Sequence, residues 1–455
     1  MGSPFSISAL ILIVSLGCAP VLYGGTEPWS RDILTTLGLA ASAVWLVELA
    51  VRRSLPSVPR LTLYAAAALL LMGWLVWFNA HSMHDTDYWE FVPLEPLVSW
   101  LPGSVDVGAS QHMMMRVTAL IGMFLLTCDV ARHRTWARAL MMTICVAGAG
   151  FALFGVYQKI SGDPWRIWPS WPPPVNAFST FWYHGNAAAF LNMVWPIMVG
   201  LAHANFRQNG NHLLRAVWIA FAAVTMLGLL LNVSKAGHFM LALLLTSYAA
   251  MAVCGLPGTV RTQGWRRPLL WSVLLISALG AAVAWLDWDE SLARWASYLA
   301  RDKMDSRAEV AVLCMPLVQK AGLFGFGPGT FDAVFQHHAA EAGWLNGIRW
   351  KFAHNDYLQT VIEWGVIGLL TWGLLFFEGV RNAWRCLSRR LRWGEVHESR
   401  SNPLYVGLSM SLAGLLLHAA VDFPLQIPGI QIYAAVVLGL LTAKRKDSWA
   451  RQRHV

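Results

Sequence analysis

The sequence predicts an all-α integral membrane protein with about twelve transmembrane helices. Three observations carry this. Apolar runs near 20 residues recur along most of the 455-residue chain, each long enough to cross a hydrocarbon core of about 30 Å. Hydrophobic residues make up 56% of the chain and charged residues only 13%, roughly half the charge of a soluble domain. The basic residues are also distributed by side.

Taken in order, the expected spans are 5–24, 31–51, 61–80, 113–131, 138–160, 184–204, 212–232, 236–255, 268–287, 357–380, 404–421 and 426–443. The first run, 5–22, invites a signal-peptide reading, and Leu16-Gly17-Cys18 faintly resembles a lipoprotein cleavage site. No Lys or Arg precedes it, so a retained helix is expected. An even number of spans puts both termini on one side. One set of loops and the C-terminus holds most of the 34 Lys and Arg, among them Arg52, Arg53, Arg60, Arg132, Arg134, Arg138, Arg261, Arg266, Arg267, Arg389, Arg390, Lys444, Arg445 and Lys446. The positive-inside rule makes that face, and both termini, cytoplasmic. The net charge of +9 therefore reports topology, and nucleic acid is not an expected partner. The six cysteines form no CxxC pair, which leaves neither a disulfide framework nor a zinc site.

Three outer segments stand out by length: 81–112, 161–183 and 288–356. The chain divides into 1–287, with nine spans and two long outer loops, a large outer segment 288–356, three spans in 357–443, and a basic tail 444–455. The large segment opens with Trp288-Asp289-Glu290. Helical spacing predicts a helix over 306–320, interrupted or kinked at Pro316. A turn-rich loop follows, Gly322-Leu-Phe-Gly325-Phe-Gly327-Pro-Gly329.

The residues that could carry chemistry collect at the outer ends of spans. The strongest stretch is His354-Asn355-Asp356-Tyr357-Leu358-Gln359, then Glu363, Gly365 and Gly368. Asn355 or Asp356 can cap the tenth span. His354 then sits at a helix N-terminus, whose dipole disfavours imidazolium and leaves the neutral ring that a general base needs. On spacing alone a capping cluster with a surface histidine is the simpler reading. Glu363 lies about two turns inside the helix, where a carboxylate needs pairing or water. It either positions a base or braces packing, and bracing is the simpler role. Ser234-Lys235-Ala236-Gly237 is an outer hairpin, and Lys235 suits a phosphate or merely snorkels. Arg301, Lys303 and Arg307 defy the positive-inside trend. They form an anion site or pair with Asp302, Asp305 and Glu309.

Trp165, Trp168, Trp171, Phe178, Phe181, Trp182 and Tyr183 crowd one outer loop with Pro172, Pro173 and Pro174. They are a membrane-interface belt or a sugar-stacking surface, the belt being the default. His184-Gly185-Asn186 follows. The loop 325–329 lacks the spacing and lysine of a nucleotide site. Asp85-Thr-Asp87 and Asp287-Trp-Asp289 are read as solvated loop acids.

Together these stretches resemble the O-antigen ligase and polymerase superfamily. The residues that carry the resemblance are 325–331, the His354-Asn355 motif with Glu363, Gly365 and Gly368, and the Ser234-Lys235-Ala236-Gly237 hairpin. They also include Ser306-Arg307, Phe181-Trp182-Tyr183-His184-Gly185-Asn186 and His418-Ala-Ala-Val-Asp422-Phe423-Pro424. The resemblance covers roughly 100–440. It implies a helical bundle with a periplasmic cap, related to lipid-dependent (GT-C-like) glycosyltransferases, in a bacterial inner membrane. It implies a glycan donor on undecaprenyl pyrophosphate, with no nucleotide cofactor and, for ligases, no metal. By position, His354 would be catalytic, and Lys235 and Arg307 would hold the pyrophosphate. Asn355, Asp356, Glu363, Ser234, His184, Asn186 and Arg301 would support the site or bind acceptor and glycan. The family usually has arginine where this chain has Lys235, and lysine loses bidentate phosphate geometry. His184 replaces the first asparagine of the family's stretch. The acceptor would be lipid A–core, a growing glycan such as an exopolysaccharide, or a protein hydroxyl. A transporter is the reading outside this class, and it would place a polar site on broken helices near the midplane.

Overall fold

The computed structural model describes residues 6–162, 177–207, 211–254, 296, 306–344, 349–393 and 403–443. Ser6 starts the first helix, α1 (Ile7–Val21), by accepting the Ala9 N–H on its side chain. There follow α2 (Pro28–Val51), α3 (Arg60–Phe78), α4 (Val107–Val130), α5 (Arg134–Ser161), α6 (His184–Arg207), α7 (His212–Leu231) and α8 (Lys235–Cys254). Beyond these lie α9 (Ser306–Ala321), α10 (Phe331–Glu341), α11 (Asp356–Trp393), α12 (Pro403–His418) and α13 (Pro428–Thr442). Each expected span other than 268–287, which lies outside the described residues, falls on a helix, though α4 begins six residues before the expected 113 and α11 runs thirteen residues beyond the expected 380. Among the described residues, seven helices, α2 to α7 and α11, are long and apolar enough to cross a membrane, and α1, α12 and α13 are shorter apolar helices.

Burial sorts the helices into centre and periphery. In α6, 89% of the apolar window is buried, against 28% in α2. The peripheral helices turn large apolar side chains outward: Leu46 and Val47 on α2, Leu71 and Phe78 on α3, Leu370 and Trp384 on α11. Apolar side chains facing outward along several long helices suit hydrocarbon rather than water as the solvent. The chain is thus an all-α membrane protein.

The two ends of the bundle differ. At one end the polar groups are few and tightly held. Glu48 accepts from Ser6, Ser8 and the Ile7 N–H at 2.7–3.2 Å, which pins the start of α1 to the end of α2. Asp129 accepts from the Trp45 indole at 3.1 Å and the Ser57 N–H at 2.9 Å. The other end carries the long connections. There β1 (Ser82–Asp85) and β2 (Glu90–Pro93) form an antiparallel hairpin, which the residue pattern of 81–112 does not announce. Asp85 closes its turn by accepting the Asp87 and Tyr88 N–H groups, so it serves as a turn acid.

A small second core caps this end. Val310, Cys314 and Leu317 of α9 pack with Phe331 and Phe335 of α10 and with Ile362 of α11. The glycine-rich loop fits into a break in α11. Gly365 has φ +65° and ψ −172°, a conformation open to glycine alone. The N–H groups of Phe326 and Gly327 bond the carbonyls of Ile362 and Glu363, both at 3.0 Å. In return, Val366 and Ile367 donate to the carbonyls of Gly322 and Leu323. The break therefore leaves its backbone satisfied by a loop, as buried peptide groups require.

Candidate active site

The site is built on the first turn of α11. Asn355 caps the helix, its side-chain oxygen accepting the Leu358 N–H at 3.0 Å. Its amide donates to the Ala420 carbonyl at 3.0 Å, and the Asp356 N–H donates to the Ala419 carbonyl at 2.8 Å. These two bonds lay the turn after α12 against residues 354–356. That turn is itself shaped by the His418 carbonyl, which accepts the N–H groups of both Val421 and Asp422.

The consequence is a close pair. His354 Nδ1 lies 3.0 Å from Asp422 Oδ1, with the histidine side chain 15% exposed and the aspartate 1%. An ionised carboxylate only accepts, so Nδ1 carries the hydrogen and Nε2 is the ring's acceptor. His354 itself has φ +52°, an uncommon backbone conformation for a side chain of this size. Its position is thus set by the surrounding bonds rather than by local preference.

Asp422 has a second set of partners on its other oxygen. The Tyr183 hydroxyl donates to Oδ2 at 3.2 Å, and Arg307 Nη2 lies 3.7 Å from the same atom. Arg307 also donates to the Tyr183 hydroxyl oxygen and, at 3.3 Å, to the Val421 carbonyl. Burial alone would raise the Asp422 pKa. The His354 hydrogen bond, Arg307 and the charges of the two nearby imidazoles more than offset it and hold the group below its ordinary value. Tyr183 moves the other way. Burial first, and the Asp422 charge second, push its phenol up, so it stays a neutral donor.

Aromatic rings fix the remaining direction. Phe423 stacks between Tyr183 and Phe352, with centroids 5.2 and 4.4 Å away and interplanar angles of 12° and 17°. His354 meets Phe423 edge-on at 4.7 Å and Trp350 at 5.1 Å. Gly185 permits the approach from α6: a Cβ there would lie 2.4 Å from both Asp422 Oδ2 and the Tyr183 ring.

Lys235 reaches the same end through its turn. Asn232 donates to the His184 carbonyl at 3.1 Å and accepts the Ser234 N–H at 2.8 Å, and Ser234 Oγ accepts the Gly237 N–H at 3.2 Å. The His184 ring lies 4.7 Å from that of Tyr183. His354 and Arg307 are therefore joined through Asp422 and Tyr183, and Lys235 opens a helix whose turn is bonded to the residue beside Tyr183.

Glu363, Asp356 and Ser234 each hold a piece of backbone. Glu363 accepts from the Gly329 N–H, the Phe331 N–H and the Gln359 amide, at 3.1, 3.4 and 2.9 Å. It braces the glycine-rich loop. Asp356 accepts from the Leu425 N–H and the Gln426 amide at 2.8 and 2.9 Å. Both carboxylates accept from backbone and amide donors, so each has a structural role in this fold. Ser234 is a cap, and Asn186 is buried within α6. Phe178 and Phe181 are also buried. Phe181 packs on Phe151 and Phe190, so these two belong to the core rather than to a belt or sugar surface. Arg301, Trp165, Trp168, Trp171 and Asp287-Trp-Asp289 lie outside the described residues.

Spacing alone does not reveal the partners of His354. Tyr183 stands among many aromatics, and Asp422 lies 68 residues from the histidine. The available clues are that both lie beside span ends and within the stretches 181–186 and 418–424 that carry the resemblance. No family model and no curated protein matches the chain.

Proposed function

We propose that the chain is a polyprenyl-pyrophosphate-dependent glycosyltransferase, moving a glycan from undecaprenyl pyrophosphate to an acceptor hydroxyl at the periplasmic face of a bacterial inner membrane. The observation that carries this reading is the single cluster of His354, Asp422, Tyr183 and Arg307, an oriented imidazole beside a guanidinium. Such a pairing suits a reaction that removes a proton from a nucleophile while negative charge develops on a phosphate leaving group.

In the proposed step, His354 Nε2 takes the acceptor hydroxyl proton. The hydroxyl oxygen attacks the anomeric carbon, and the bond from that carbon to the pyrophosphate oxygen breaks. Undecaprenyl pyrophosphate leaves, its added charge met by Arg307 and Lys235. A single displacement inverts the anomeric centre. Asp422 keeps the Nδ1–H tautomer and stabilises the imidazolium that forms. A transporter has weaker support, because the broken helix at Gly365 already has its backbone groups bonded by the loop 322–327.

Gene deletion with complementation tests the proposal. Strains restored with wild type should recover their surface glycan, and strains carrying His354→Ala should not. Loss of capped lipopolysaccharide with intact lipid-linked polymer marks a ligase. Accumulation of single repeat units marks a polymerase, and loss of glycan from proteins marks a protein O-oligosaccharyltransferase. Normal glycans in the His354→Ala strain would remove the proposed site.

A further inference from the structure

Beneath the site lies a cavity of about 380 Å³ that the transfer reaction leaves without a role. Its walls come from α4, α11 and α13, with Val117, Phe124, Trp364, Trp372, Ala435 and Leu438 among them. The lining is mostly apolar, and its polar groups are Asp356, Thr360 and Glu363 on the first two turns of α11, the Tyr357 hydroxyl, and Gln426 and Gln431 around the start of α13. Gly373, Phe377 and Val380 line the cavity and are also exposed on the side of α11, the surface that carries Leu370 and Leu374. The cavity thus opens sideways, through surface that faces hydrocarbon.

Two arginines stand behind its polar end, close enough to feel one another's charge, though neither is itself part of the lining. Arg116 sits on α4 between Met113 and Val117, both of which line the cavity. The charges acting on it are those of Arg31, from α2, and Glu363, itself part of the lining. Glu363 is occupied by the loop 329–331 and by Gln359. The Arg116 guanidinium contacts the Met113 sulfur at 2.8 Å. The Nε atoms of Arg116 and Arg31 are both buried and lack a hydrogen-bond partner. The carboxylate nearest to Arg31 is Asp32, at 3.9 Å and 67% exposed. Two guanidiniums of like charge beside an acid that is already bonded call for a further anion.

We propose that the cavity binds an anionic phospholipid of the surrounding bilayer, its acyl chain lying between α4, α11 and α13 and its phosphate meeting Arg116 and Arg31. An apolar chamber open to the bilayer selects a hydrocarbon chain, and the arginines select a phosphate with net negative charge over a zwitterion. The proposal is independent of glycan transfer, because His354, Asp422 and Arg307 do not line this chamber.

Photolabelling of the full chain in nanodiscs tests it. The probes are phosphatidylglycerol and phosphatidylcholine, each with a diazirine in the acyl chain, and labelled peptides are mapped by mass spectrometry. Phosphatidylglycerol should label Trp364, Trp372 and Phe376. Gly373→Leu should abolish that labelling by filling the chamber, and it should fold normally because a Cβ at Gly373 meets nothing within 4 Å. Arg116→Gln should lower phosphatidylglycerol labelling about tenfold and leave phosphatidylcholine unchanged. His354→Ala should label like wild type, which separates this site from the transfer reaction. Labels confined to outward positions such as Leu370 and Leu374, or equal labelling by the two lipids, would overturn the proposal. Displacement of the probe by undecaprenyl pyrophosphate would overturn it by assigning the chamber to the donor. Competition by inorganic phosphate alone would overturn it by showing a free-anion site.

Discussion

His354 and Asp422 are held by bonds that each serve a separate purpose. The carboxylate uses one oxygen to orient the imidazole and the other to collect Tyr183 and Arg307. Asp422→Asn keeps the shape and removes the charge. It should reduce glycan transfer by about 10²–10⁴-fold, measured against protein level in membranes, because the amide can present a donor to Nδ1 and favour the wrong tautomer. The depressed pKa of Asp422 also sets a pH dependence. A carboxylate whose folded pKa is lowered contributes stability above its unfolded pKa and loses it as pH falls through the folded one. Thermal unfolding in detergent should therefore separate wild type from Asp422→Asn at neutral pH, with the gap closing below about pH 4. A gap that stays constant well below that pH would mean that the ionised pair contributes nothing. Gly185→Ala probes the same atoms from α6. Its new methyl must displace Asp422 or Tyr183, so transfer should fall at least tenfold, while alanine's high helix propensity leaves α6 itself intact.

The elements show where sequence patterns suffice and where they stop. Helix positions were legible because an apolar run near 20 residues suits a membrane span and little else, and the caps at Ser6 and Asn355 use ordinary residue types. Glu363 was also legible as a brace, since a carboxylate two turns inside an apolar helix needs donors. The break at Gly365 was not. A single glycine in an apolar helix is common, and its need appears only when the loop 322–327 approaches. A Cβ on Gly365 would lie 2.3 Å from the Leu323 carbonyl group, and one on Gly325 would lie 2.4 Å from that of Glu363. Gly365→Ala combines a forbidden backbone conformation with that collision. It should cost on the order of 2–4 kcal/mol and lower the melting temperature in detergent far more than Gly150→Ala, where a Cβ meets nothing within 4 Å. Equal melting temperatures for the two variants would show that the break is not fixed by this glycine.

At the scale of the whole molecule, the pairing of distant segments was the hidden part. Asp422 and His354 are brought together by the Asn355 side-chain amide and the Asp356 N–H, which bond the turn after α12, and Tyr183 comes from a third helix start. No local spacing encodes those distances. The cations near the apolar cavity escaped for a related reason, because Arg31 and Arg116 lie far apart in sequence and come near one another only in the bundle. Sidedness, in contrast, rests on the distribution of charge and can be tested directly. The structure separates an end bearing Glu48, Asp129 and the residue 52–60 connection from an end bearing the hairpin, the cap and His354. The proposed cytoplasmic placement of the first end rests on its excess of Arg and Lys. Thr86, on the hairpin, and Ser54, after α2, are both exposed. In intact spheroplasts, a membrane-impermeant maleimide should label Thr86→Cys and spare Ser54→Cys until the membrane is opened. The reverse pattern would place His354 on the cytoplasmic face. The imidazole and guanidinium would then sit on the side where nucleotide-linked sugars are available, and a donor presented on undecaprenyl pyrophosphate outside the cell could not reach them.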